Sequence, residues 1–195
     1  MPIQLNDYEI TWYMHEICMH SLGAHQEYLL LEAALRDEQT RQTRLVWFHL
    51  TAFLSHAAMI SKYLSPISKS DVAVSRKQAL RDYLGVVSAS EVLPRDTRDN
   101  VEHFDERLDN WVGGDNQAIL EIVLPDRAGY NYLQVDSKRV KRVIIQEEMS
   151  FISEKRDKSK FQLDLIPLRV EVERIGTAAE EWIKGKSPYH FIYPR

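Results

Sequence analysis

Residues 6–36 read NDYEITWYMHEICMHSLGAHQEYLLLEAALR, and this segment decides the fold. Apolar or small residues recur in it at alternating steps of three and four, which places them along one side of an α-helix. These are Ile10, Met14, Ile17, Ser21, Ala24, Tyr28, Leu31 and Leu35. Asn6 followed by Glu9 has the pattern of a capping box, so a long bundle helix is predicted to begin here. Gly23 lies within it and is the point where the helix could divide, because a mid-helix glycine costs about 1 kcal/mol relative to alanine.

Two further helices follow. Residues 41–64 are apolar around most of the helical circumference, which is typical of a helix covered by neighbours on most sides. Ser65 and Pro66 are predicted to end it, because proline disfavours helical geometry in the residue before it. A shorter helix is then indicated by a second capping box, Ser75 with Gln78, and by Gly85 as the residue that closes it.

The rest of the chain changes pattern twice. Pro94 suits the first turn of a fourth helix, whose stripe is Val101, Phe104, Leu108 and Trp111. Residues 119–124, 130–135, 140–146 and 149–152 are rich in valine, isoleucine and tyrosine and predict short strands. Asp164 is then predicted to cap a final helix with Pro167 in its first turn and a stripe that returns to the bundle, formed by Leu168, Val172, Ile175, Ala179 and Trp182.

These patterns predict a mainly α fold, a bundle of about five helices with a small β meander inserted before the last helix. We expect one domain over residues 1–195, with the β insertion at 117–162. A few strands are marginal by themselves, so the meander must pack on the bundle or on a partner chain. Phe53, Phe104, Leu108 and Val172 are expected to share its core.

Composition excludes several classes of function. The formal charge of −4 gives no overall attraction for nucleic acid or anionic membranes. Cys18 is the single cysteine, so no disulfide can form within the chain, and the first ten residues lack the features of a signal peptide. Residues 45–61 carry no Lys, Arg, Asp or Glu but are polar at His49 and His56 and barely reach the ~20 residues that a bilayer requires. A cytoplasmic protein that does not contact the membrane is predicted.

The segment RDNVEHFDERLDNW (residues 98–111) carries the strongest indication of chemistry. Asp99 and His103 are four residues apart, so they share a helix face and the carboxylate can orient the imidazole. Histidine can move a proton to or from a reacting oxygen, and the nearby Arg98 can stabilise charge on a phosphoryl group. This set suits phosphodiester cleavage without a metal. Because acid–base cleavage needs two groups, a two-fold dimer would supply the second histidine.

An arginine, a polar residue and then a histidine on a bundle helix resemble the HEPN superfamily. WFHLTAFLSHAAMISKYLSP (residues 47–66), followed by RDNVEHFDERLDNW, is also similar to a bacterial group of uncharacterised HEPN-like proteins. The resemblance covers residues 8–112 and the last helix. It implies a homodimer, in many members a metal-independent endoribonuclease of toxin–antitoxin or defence type, with an antitoxin-like partner protein. Carried over by position, it makes Arg98, Asp99 and His103 the catalytic residues. Asp105 departs from the toxin subgroup, which often has tyrosine there.

The charges around this segment favour a second hypothesis. Residues 91–115 contain eight acidic residues against three arginines, and such a surface repels a polyanion. The counterweight is a basic set in the β insertion that could bind RNA, namely Lys138, Arg139, Lys141, Arg142, Lys155, Arg156, Lys158 and Lys160. The alternative function is a catalytically silent dimeric HEPN-like module that binds a protein or nucleotide partner. Arg98 with Glu102, and His103 with Arg107, would then be ordinary neighbours on a helix surface.

A third hypothesis is a metal-binding helical bundle. His15, His20 and His25 are five residues apart and scatter around a helix, whereas Glu16 with His20, or Asp99 with His103 and Glu106, would share a face. Hydrogen-bonded core residues are the preferred interpretation of His49 and His56. The chain has no glycine-rich phosphate loop, cysteine-pair metal motif or serine-centred nucleophile elbow. We therefore expect neither a cofactor nor a metal, and Cys18 as a core residue.

A homodimer is also expected on physical grounds. The apolar surface of the first two helices is broader than a small bundle usually hides. A specific dimer would bury more than ~1,200 Å² in total.

Overall fold

The computed structural model describes residues 3–94, 99, 104–112, 121–132, 140–155 and 159–187. Within these ranges the chain forms helices and one four-stranded sheet. The helices are α1 (Asp7–Arg36), α2 (Arg44–Leu64), α3 (Asp71–Tyr83), α4 (Phe104–Val112), α5 (Arg127–Tyr132) and α6 (Leu165–Lys186). The strands are β1 (Glu121–Leu124), β2 (Arg142–Ile145), β3 (Ser150–Glu154) and β4 (Lys160–Asp164). The predicted mainly helical fold with a small sheet before the last helix is confirmed.

The start of α1 is the predicted capping box. The Glu9 backbone N–H donates to the Asn6 side chain at 3.1 Å, and the Asn6 backbone N–H donates to the Glu9 carboxylate at 2.8 Å. Gly23 was a point where the helix could divide, and it does not, because α1 continues for 30 residues without interruption. The cost of one glycine is ~1 kcal/mol, and packing against two long helices outweighs it.

α1 lies between α2 and α6 and contacts both. The rings of Tyr28 on α1 and Phe53 on α2 meet at 5.4 Å, and both side chains are buried. On the α6 side the Ser21 hydroxyl donates to the Val172 carbonyl at 3.0 Å. A Cβ on Gly176 would lie 2.0 Å from the Ser21 oxygen, so α1 and α6 approach each other more closely here than any larger residue allows. Phe53 and Val172 are buried, as predicted.

α3 begins earlier than predicted. Its cap is Ser70, whose side chain accepts from the Ala73 N–H at 3.3 Å, and the expected cap Ser75 lies inside the helix. Serines at both positions made the sequence ambiguous. The predicted end is confirmed, since Gly85 has φ +60° and Val86 N–H donates to the Arg81 carbonyl at 2.9 Å. That arrangement is the Schellman motif, which glycine favours because it has no Cβ.

The sheet has the order β1-β2-β3-β4, and only part of it is a meander. β2, β3 and β4 are antiparallel neighbours, whereas β1 pairs parallel to β2. The strand predicted for 130–135 is wrong in its described part, because 127–132 form α5. The Asp126 carboxylate accepts the Gly129 N–H at 2.7 Å, a local bond that favours a helical turn over a strand. The strand β4 was not predicted.

Side chains of the bundle hold the sheet. The Gln42 amide pairs with the backbone of Val123 on β1, donating to its carbonyl at 2.8 Å and accepting from its N–H at 3.3 Å. The Arg142 guanidinium lies 5.2 Å from the centre of the Trp47 ring on α2. One buried apolar cluster combines residues of α1, α2, α3, α6 and the sheet, so the last helix shares the core of the first two.

Of the stripe that the sequence predicts for α4, only the Leu108 side chain is described, and it is not buried. Leu108 is 36% exposed and Val112 is 67% exposed, so the expectation of a buried Leu108 is wrong. The side chains of Val101, Phe104 and Trp111 lie outside the described residues. The spacing identified an amphipathic helix correctly, but spacing does not specify what covers the apolar side. Among the described helices, none combines the length and the apolarity that crossing a membrane requires.

Gly176→Ala should destabilise the fold by roughly 1–3 kcal/mol, the usual cost of overpacking, because the added Cβ collides with Ser21. Gly185→Ala in the same helix is the matched control. Its Cβ would meet nothing within 4 Å, so it should stabilise the fold by up to ~1 kcal/mol. Urea unfolding measures both variants. Equal effects would contradict the close approach of α1 and α6.

Candidate functional site

The predicted catalytic segment is only partly described. Asp99 is helical and half-buried, and it takes part in an interaction. Arg98 and His103 lie outside the described residues. The catalytic assignment of Arg98, Asp99 and His103 therefore stays a prediction, as does the metal alternative that combines Asp99 and His103 with Glu106.

Beyond Asp99, the described side chains of this segment are acidic or apolar. Asp105, Glu106 and Asp109 on α4 are exposed, and Leu108 and Val112 are exposed beside them. Carboxylates at such positions repel the phosphates of a nucleic acid. The surface suits a basic or apolar protein partner better than a polyanion.

The basic residues of the sheet are largely occupied by internal contacts. Glu154 is 6% exposed, and the ammonium groups of Lys141 and Lys160 lie 2.9 Å and 3.4 Å from its carboxylate. Lys160 also donates to the Val140 carbonyl at 2.6 Å. Burial lowers the pKa of Lys160, and the negative charge of Glu154 partly opposes this shift. Arg142 pairs with Glu121. Of the other predicted RNA-binding residues, Lys155 is half-buried, and Lys138, Arg139, Arg156 and Lys158 lie outside the described part of the chain.

A second polar constellation lies between α1 and α2 and is called the histidine seam here. Its members are Glu16, His20, Gly23 and Glu27 from α1, and His49, His56 and Tyr63 from α2. The α2 residues are seven apart, so they follow one side of that helix. His49 and Glu27 are joined at 2.7 Å, and the Tyr63 hydroxyl donates to Glu16 at 3.3 Å. These histidines are hydrogen-bonded within the bundle, as predicted.

His20 and His56 form the centre of the seam. Their Nδ1 atoms are 3.0 Å apart, and His20 Nε2 lies 3.9 Å from the Glu16 carboxylate. The His56 ring lies against Gly23, where a Cβ would come within 2.5 Å of Cε1 and Nε2. Gly23 is therefore required by the close approach of an imidazole from α2.

The contact between the two rings limits their charge. One Nδ1 must carry a proton and the other must offer its lone pair, so the contact tolerates at most one imidazolium. Burial lowers the pKa of His20, and the neighbouring His56 lowers it further, while Glu16 acts in the opposite direction. The pair is a hydrogen-bonded unit in which the lowered pKa of His20 favours the neutral form of that ring.

The seam is not a metal centre by its geometry. His20 contacts α2, whereas His25 turns to the other side of α1 and meets Glu173 on α6 at 2.6 Å, so the histidines spaced five apart diverge as predicted. Glu16 and His20 do come together. In the described ranges, however, no group of three His, Cys, Asp or Glu side chains is arranged to hold a metal ion.

Cys18 belongs to the packing between α1 and α6. Its thiol lies 3.8 Å from the Gly176 carbonyl. Burial, together with the charge of Glu180, raises the pKa of Cys18 to about 12. The thiolate that a nucleophile requires is therefore scarce near neutral pH, in keeping with the predicted core role.

Sequence reasoning missed the pairing of His20 with His56. The heptad spacing of His49, His56 and Tyr63 was a usable signal, because it places three polar groups on one side of an otherwise apolar helix. The spacing could not identify the partners of these groups on α1, because identifying them requires the register of α2 relative to α1.

The effect of Gly23→Ala on the free energy of unfolding should change sign when His56 is replaced. In the native protein the added Cβ displaces the imidazole, and the loss should exceed the ~1 kcal/mol gain in helix propensity. In a His56→Ala background the space is free, and the same substitution should stabilise the fold by up to ~1 kcal/mol. A double-mutant cycle by urea unfolding measures the coupling. Additive effects would contradict the contact.

Acidification should destabilise the fold through His20. An unfolded histidine takes a proton near pH ~6.5, whereas the lowered pKa of His20 delays this in the folded chain. The unfolded state therefore binds more protons as the pH falls from ~6.5 through the folded-state pKa, and stability is lost in that window.

The control for this prediction is His20→Gln, which removes the titrating group and leaves His15, whose pKa is also lowered by burial. Unfolding free energies at pH 7.5 and 5.5 should fall less in this variant than in the wild type. Parallel losses in both proteins would refute the role of His20.

Comparison with protein-family models, curated proteins and solved structures found no match to this chain. The similarity to HEPN proteins thus depends on the residues quoted above, and membership of that superfamily stays a prediction.

Proposed function

We propose that this chain is a catalytically silent, dimeric HEPN-like module whose task is to bind a partner protein. The observation that carries the proposal is the surface of α4, where Asp105, Glu106 and Asp109 are exposed. A site that cleaves RNA needs an electropositive approach for the phosphate backbone. Three exposed carboxylates within six residues of His103 in the sequence work against that approach.

The sheet supports the same conclusion. Lys141, Lys160 and Arg142 belong to the basic set that the sequence predicts as an RNA-binding surface. Each contacts an acidic side chain, Glu154 or Glu121. Charges held in this way stabilise the sheet and are less available to phosphates. A partner protein with basic residues facing α4 meets the charge of this surface better than an RNA or a nucleotide does.

A metal-independent endoribonuclease is the second candidate function. It depends on the spacing of Arg98, Asp99 and His103, which unites an acid–base group with a charge-stabilising group. Its partner would be an antitoxin-like protein, and its catalytic unit a homodimer that brings two His103 side chains together.

An RNA-cleavage assay distinguishes the two functions. Purified protein is incubated with mixed RNAs in EDTA, with His103→Ala prepared identically. The silent module predicts no cleavage by the wild type above that of the variant, because nothing in the reaction depends on His103.

Cleavage by the wild type that His103→Ala abolishes would overturn the silent module. Arg98→Ala should then lower the rate by ~10²–10³, the usual loss for one preorganised charge-stabilising group. Circular dichroism should show unchanged helix content in both variants, so that a loss of activity is not a loss of folding.

A further inference from the structure

β1 lies at one end of the described sheet, and a side chain from the bundle covers its outer edge. β1 pairs with β2 along one edge. The Gln42 amide lies along the other edge, donating to the Val123 carbonyl at 2.8 Å and accepting from the Val123 N–H at 3.3 Å. One side chain therefore binds both backbone groups of a strand residue.

The hydrogen bonds of β1 show that the backbone of Val123 faces away from β2. The next residue, Leu124, directs its carbonyl towards β2, where it accepts from the N–H of Gln146 at 2.9 Å. Successive residues of a strand present their backbone groups to opposite edges. Val123 thus presents its N–H and C=O to the outer edge, as it would to an antiparallel strand. The Gln42 amide, using one donor and one acceptor, reproduces that pairing.

The apolar residues of β1 lack the usual protection of an edge strand. Edge strands commonly carry charges, proline or a bulge, which hinder pairing with another chain. Ile122, Val123 and Leu124 carry no charge and no proline, and the charge of Glu121 is paired with Arg142. Val123 and Leu124 belong to two different buried clusters, so both faces of the strand are packed. Because buried faces exclude charge, protection has to come from the edge.

The connection between α1 and α2 holds Gln42 in position. On one side of it, the Arg41 guanidinium donates to the Leu35 carbonyl in the last turn of α1 at 3.0 Å. On the other side, Thr43 caps α2, and its N–H donates to the Thr40 carbonyl at 2.9 Å. Because both neighbours are fixed, Gln42 loses little conformational freedom when its amide binds the strand.

We propose that Gln42 protects the edge of β1, and that without its amide β1 pairs with β1 of a second copy of the chain. Antiparallel pairing centred on Val123 exchanges the N–H and C=O of this residue between the two copies, which is the hydrogen-bonded pair of an antiparallel ladder. The arrangement is two-fold symmetric, so the same edge is its own partner. The inference goes beyond the proposed function and does not involve α4.

Gln42→Ala tests the protection. Sedimentation analysis over a range of concentrations should show self-association beyond that of the wild type, because the Val123 backbone groups become available to a second copy. Hydrogen exchange of the Val123 amide is the local measurement. At low concentration it should be ~5–10-fold faster than in the wild type, the usual effect of losing one hydrogen bond. At high concentration it should slow again as the two edges pair.

Two control variants separate this protection from other effects. Gln39→Ala removes an exposed amide from the same connection and should behave as the wild type does. Gly176→Ala disturbs the contact of α1 with α6 and leaves Gln42 unchanged, so it measures association that follows from lowered stability alone. It should associate no more than the wild type.

Each result supports or overturns the proposal. Association of Gln42→Ala alone, with renewed protection of the Val123 amide at high concentration, supports it. Unchanged association of Gln42→Ala overturns it, and so does equal association of Gly176→Ala, because partial unfolding would then be the cause. Association during which the Val123 amide still exchanges rapidly also overturns it, because the contact would then involve another surface.

Discussion

The structure depends on the packing of α1, because this one helix contacts two long helices at once. α2 packs on one side and α6 on the other, and the sheet joins the same core. The contact with α6 permits no side chain at Gly176, and the contact with α2 permits none at Gly23. Glycine at both positions lowers helix propensity, so close packing of the three helices has taken precedence over the stability of each helix alone.

Polar groups lie along these interfaces in matched pairs. His49 meets Glu27, His25 meets Glu173, and the Ser21 hydroxyl meets a backbone carbonyl. Unmatched polar groups buried between helices would cost about 1–3 kcal/mol each. Such pairs are satisfied in only one register, since a shift of one helix relative to the other would separate them. The apolar residues of the core drive association, and the polar pairs specify which arrangement results.

Features that depend on local sequence were more predictable than features that depend on distant segments, although the start of α3 was placed at Ser75 and not at Ser70. The capping box of Asn6 and the close at Gly85 require only neighbouring residues, and both were predicted correctly. The strand β4 and the parallel pairing of β1 with β2 are set by partners far along the chain. Short apolar runs do not distinguish strand from helix, which is why residues 130–132 were placed in a strand although Asp126 begins a helical turn there.

In the candidate site, too, local features were easier to predict than contacts between distant segments. Sequence spacing could place Asp99 and His103 on one helix face, and it could count the acids around them. It could not show that the bases of the sheet meet Glu154 and Glu121, which lie elsewhere in the chain or on another strand. Nor could it pair His20 with His56, because the register of α1 on α2 emerges only when the whole core packs.

Burial along α1 follows from the geometry of a helix that packs on part of its circumference. Ile10, Met14 and Ile17 recur at steps of three and four and are fully buried in the bundle. Met19 and Leu22 are 50% and 52% exposed, so their replacement leaves the contacts of the three buried residues in place. The residues that fix the fold are therefore confined to one side of α1, because only about half of the circumference of the helix is needed to build the core.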